Sequence, residues 1–61
     1  MCELKVIIDE TVVFEDAVYA KSIEKNVVVK GIFGNSKTFE NHIITEVNIT
    51  NEQLVLTPTK T

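Results

Sequence analysis

Val27-Val28-Val29-Lys30-Gly31-Ile32-Phe33-Gly34-Asn35-Ser36-Lys37-Thr38-Phe39 is the stretch that decides the fold. Its consecutive valines carry stiff, branched side chains that suit a pleated surface, so Val27 to Phe33 reads as a central strand. Gly34-Asn35 follows, and both residue types tolerate the positive φ of a tight primed turn. Ser36 to Phe39 then runs back antiparallel, which makes the segment a β-hairpin.

The same period-two alternation extends in both directions, and nowhere is the 3.6-residue periodicity of an amphipathic helix sustained over three turns. Upstream, Leu4, Val6 and Ile8 alternate with Glu3, Lys5 and Ile7, giving a strand from about Cys2 to Ile8 that ends at the polar reversal Asp9-Glu10. Thr11 to Phe14 forms a short strand, Glu15-Asp16 breaks the pattern with a bend or helical turn, and Val18 to Ile23 resumes it. Downstream, Ile43, Thr45, Val47 and Ile49 oppose His42, Ile44, Glu46 and Asn48. Thr50-Asn51-Glu52 turns the chain into Leu54 to Leu56, and Pro58 ends the last strand because it has no N–H to donate. The fold expected is all-β: a small antiparallel barrel or two packed sheets of six to seven short strands, of SH3/Sm-like size. Residues 1–61 read as a single β domain.

A chain of 61 residues buries only about 60% of the surface its unfolded form exposes. Domains this small usually add a disulfide, a metal or a partner subunit, and one cysteine cannot close a disulfide within its own chain. The composition, 44% hydrophobic and without tryptophan, is that of a folded domain. A start of Met1-Cys2-Glu3-Leu4-Lys5 lacks the basic and apolar regions of a secretory signal, and no apolar run reaches the roughly 18 residues of a membrane span. The expected location is the cytoplasm, with no membrane contact. Six basic and nine acidic residues leave a net charge of −3, which argues against a general nucleic-acid binder, since those carry a basic footprint. Solvated lysines beside glutamates are the commoner reading of Lys21, Lys25, Lys30 and Lys37.

Cys2 is the chemically pointed residue. A thiolate is a strong soft-metal ligand, and with its own α-amino group it forms a compact chelate. Methionine excision generally proceeds before a residue as small as cysteine, so the amine can be that of Cys2 itself; backbone amides near Glu3 are substitutes. Structural zinc takes four protein ligands at spacings absent here. A two-fold dimer changes the count, because an isologous interface brings the same residue twice to one axis. Two such chelates make an N2S2 set suited to square-planar nickel(II) or copper(II). A free cysteine is also simply a small hydrophobe, and that reading stays open. His42, the lone histidine, reads as a surface or half-buried residue and receives no ligand role. A Cys2–His42 pair lacks an orienting third group and an oxyanion loop, so no enzyme is expected.

Met1-Cys2-Glu3, then Glu15-Asp16-Ala17-Val18, then Ile32-Phe33-Gly34 before a turn, and a final hydrophobic strand together resemble the CooT family of small proteins. The resemblance spans nearly the whole chain. It implies a homodimeric nickel chaperone linked to maturation of carbon monoxide dehydrogenase, with Cys2 as the metal residue, Ni(II) bound at one per dimer and a nickel enzyme as client. The same family also bears the description of predicted RNA-binding protein. That makes the alternative a small RNA-binding barrel, with Tyr19, Phe33 or Phe39 as stacking surfaces and lysines on phosphates, although most of these aromatics read more economically as core. A third reading is a protein-interaction module.

Overall fold

The computed structural model describes residues 3–59. They form six strands: β1 (Leu4–Ile8), β2 (Thr11–Ile23), β3 (Asn26–Gly31), β4 (Ser36–Glu40), β5 (His42–Asn48) and β6 (Gln53–Pro58). All six lie in one sheet in the order β4-β3-β2-β1-β6-β5. The all-β reading holds, and the arrangement is a single curled sheet, not two separate layers. Every pairing is antiparallel except that of β1 with β6, which run parallel. Parallel neighbours need a long crossover, and here the intervening strands β2 to β5 supply it.

Curling follows from the connection between the two edges. β4 and β5 are joined by Asn41 alone, at φ 61°. His42 N–H donates to Lys25 O over 2.8 Å, so the start of β5 is tied to the start of β3. The sheet's edges therefore meet at this corner, as in a partly open barrel. Inside lie Val6, Ala17, Val27, Val29, Phe39, Leu54 and Leu56, with Leu4, Ile8, Val13, Phe14 and Ile44 packed around them. Burying a side chain of this size contributes about 1.5–3 kcal/mol, so so small a core leaves a thin margin. Leu4, Val6 and Ile8 do share the inward side that their alternation indicates.

Three local details differ from the sequence reading. Glu15-Asp16 does not divide two strands: β2 is continuous, and Asp16 at φ 63° sits where its register slips against β1, between Ala17 and Phe14. A second slip against β1 lies between Phe14 and Val12, and a third, against β3, between Ala17 and Tyr19. These three bulges bend one long strand so that its first half serves β1 and its second half β3, which is how a bulge turns a barrel corner. The β3–β4 turn also lies earlier than Gly34-Asn35. Gly31 N–H donates to Asn35 O over 2.7 Å and Gly34 N–H to Gly31 O over 3.0 Å, leaving Ile32, Phe33 and Gly34 as a three-residue loop with Gly34 at φ 86°. That is a type I turn followed by a left-handed residue, the common three-residue hairpin. Finally, β5 bulges between Ile44 and Glu46, so strict alternation does not run its length and Val47 joins Ile44's side.

Candidate functional site

The start of β1 is the part of the fold adjoining the residue that sequence chemistry singles out. Cys2 itself lies outside the described residues. Leu4 pairs with Ala17 of β2, and Lys5 pairs with Gln53 of β6. Lys5 N–H also donates to Glu52 O over 2.9 Å, fixing the strand start against the β5–β6 turn. That turn is closed by Glu52 N–H on Ile49 O at 3.1 Å and by Asn51 N–H on Asn48 Oδ1 at 3.0 Å. On one flank of the strand start stands Val18, next to Ala17 and 47% exposed; on the other stands Ile49, 63% exposed. Apolar side chains thus face solvent on both sides of it.

His42 stands elsewhere. It pairs with Pro58, whereas Lys5 pairs with Gln53, five positions back along β6, or roughly 16 Å of strand. Its Nδ1–H donates to Glu40 O over 2.8 Å, and its ring meets Phe39 edge-on at 6.2 Å. The half-buried reading fits, and the paired Cys2–His42 arrangement gains no geometric support. Among the described residues no three His, Cys, Asp or Glu side chains converge as a metal cluster. Those residues also contain no helix long and apolar enough to cross a membrane.

The aromatics separate instead of forming one surface. Phe39 is buried in the core, so it offers no ring for stacking. Tyr19 is 45% exposed on the outward side of β2, with Lys30 Nζ 5.0 Å from its ring centre. Lys21, two positions on, lies on that same side of β2. Phe33 is the surprise, at 83% exposed on the tip of the β3–β4 turn. Reading it as the end of a strand gave it a place in the core; the turn's true position puts it in solvent. The signal was Gly31, which a strand interior disfavours and which is packed so tightly that an added Cβ would lie 2.6 Å from Asn35 Oδ1.

Compared with known proteins, the chain matches the family model for CooT, CO dehydrogenase accessory protein, over residues 1–57. It belongs to that family. No curated protein matches it. The family assignment makes it an accessory protein and not an enzyme.

Proposed function

We propose that this CooT-family chain acts in the cytoplasm as a single-domain homodimer that carries one nickel(II) between two Cys2 thiolates and delivers it to carbon monoxide dehydrogenase. The observation that carries the reading is the family match, which begins at residue 1 and so includes Cys2. Terminal or backbone nitrogens complete an N2S2 set of the kind nickel(II) accepts in square-planar geometry. Few ligands at a chain end suit exchange, since a carrier must release its metal as well as hold it. The dimer follows from ligand number: one cysteine is a half-site, and a two-fold axis doubles it.

Connectivity supports where such an interface would lie. Two residues of extended chain reach at most about 7 Å, so copies that share an ion through Cys2 must bring their β1 starts together. Val18 and Ile49, exposed on either flank, are the apolar surface such a dimer would cover. The test is a nickel titration of the protein and of Cys2→Ser, following the thiolate-to-nickel absorption band. Saturation at half an equivalent in the first, and no band in the second, is the expected result. Equal binding by both would sink the reading.

A second reading has one observation in its favour, the Tyr19, Lys21 and Lys30 grouping on the outward side of β2 and β3. Aromatic stacking with nearby cations is how single-stranded RNA is held. Its signature is a steeply salt-dependent affinity for single-stranded RNA that Tyr19→Ala abolishes; the net charge of −3 weighs against it.

A further inference from the structure

Phe33 exposes most of a phenyl ring at the end of a turn that is held from three directions. Gly31 and Asn35 pair across its base, Gly34 closes it, and Ile32 N–H donates to Asp16 O of β2 over 2.9 Å. Ile32, beside it, is also exposed. An aromatic fixed on a rigid turn loses little conformational freedom on binding and fills a pocket well, which are the properties of an interface anchor. The knob therefore calls for a socket. A knob-to-socket contact between copies of this chain would be head-to-tail and would build a ring or a filament, not the two-fold dimer proposed above. A single phenyl group on an acidic chain is also poorly matched to an anionic lipid surface.

The charges around the tip indicate the socket's rim. The hydrogen bond from Ile32 N–H to the Asp16 carbonyl sets the β2 backbone at Asp16 against the base of the turn, and Glu15 and Asp16 are both exposed. The neighbouring cations lean back: Lys30 Nζ lies 5.0 Å from the Tyr19 ring and Lys37 Nζ 5.5 Å from the Phe39 ring. An apolar knob with an acidic collar fits an apolar pocket with a basic rim.

We infer that the β3–β4 tip is the surface by which this chain docks on its client, with Phe33 seated in an apolar pocket of carbon monoxide dehydrogenase and Glu15 and Asp16 against that pocket's cationic rim. The client's identity rests on the function proposed above; the tip does not depend on nickel ligation. The experiment measures binding of the purified chain to purified nickel-free carbon monoxide dehydrogenase by calorimetry, for the wild type, Phe33→Ala, the double variant Glu15→Gln/Asp16→Asn, and Val12→Thr as a surface control. Expected are at least a tenfold loss for Phe33→Ala, a smaller salt-sensitive loss for the double variant, and no change for the control. Wild-type binding that Phe33→Ala or the double variant leaves intact overturns the assignment of the tip while sparing the client reading. No wild-type binding overturns both. Two companion measurements use Phe33→Ala: a change in subunit number on sedimentation, or loss of binding to phosphatidylglycerol vesicles, would give the tip to a second copy or to a membrane and overturn the proposal.

Discussion

Glu10 stands in a backbone conformation that suits glycine. It and Asp9 both take positive φ, 62° and 53°, as a two-residue primed turn between β1 and β2 requires. Asp16, Glu24, Asn41 and Glu52 are also left-handed, and each such residue other than glycine costs on the order of 1–2 kcal/mol, less for Asn and Asp. Glu10→Gly should therefore stabilise the protein by about 1 kcal/mol, which in a domain of this size raises the melting temperature by roughly 4–8 °C. Thermal unfolding followed by circular dichroism checks this, and an unchanged or lower midpoint would show that the turn is not strained. The polarity of Asp9-Glu10 made the reversal legible in the sequence. That both residues are left-handed was not legible, because acidic side chains mark turns without specifying their hand.

Bending of β2 is the event that turns a row of alternating segments into a barrel. The sequence showed the interruption at Glu15-Asp16, but polar residues that break an alternating pattern read equally as a turn or a bulge. What decides between them is pairing with β1 on one side and β3 on the other, information carried by residues distant in sequence. Asp16 at φ 63° is the hinge of that bend. A β-branched side chain there is a genuine outlier, so Asp16→Val should destabilise by about 1–2 kcal/mol, while Asp16→Gly should not. Urea denaturation of the two variants separates backbone strain from loss of the carboxylate; equal losses would point to the charge. The hairpin of β3 and β4 was legible as a hairpin, yet two residues out of place. Gly34-Asn35 matches a two-residue turn on its own, and only the hydrogen bond between Gly31 and Asn35 shows the longer loop that lifts Phe33 out of the core. The parallel contact of β1 with β6 was illegible too, since both strands alternate as any half-buried strand does.

At the scale of the whole molecule, the small core and the exposed Val18, Ile49 and Phe33 describe a chain that leaves much apolar surface for partners. The proposal that Cys2 is a ligand rests on its chemistry and on the family resemblance, and the proposal of a dimer on the count of ligands. The surface that would join two copies needed the pairing of β1 with β2 and β6 to be seen. If the strand starts meet, Val18→Asp/Ile49→Asp should shift the protein from dimer to monomer at micromolar concentration on analytical ultracentrifugation and weaken nickel binding at least tenfold, with the strand signature in circular dichroism unchanged. A variant that stays dimeric would move the interface elsewhere. The central claim is that metal and dimer are one property of Cys2. Native mass spectrometry with nickel added tests it most directly: the account predicts one nickel per two chains, and no nickel on Cys2→Ser. Nickel bound one per single chain, or retained by Cys2→Ser, would contradict it.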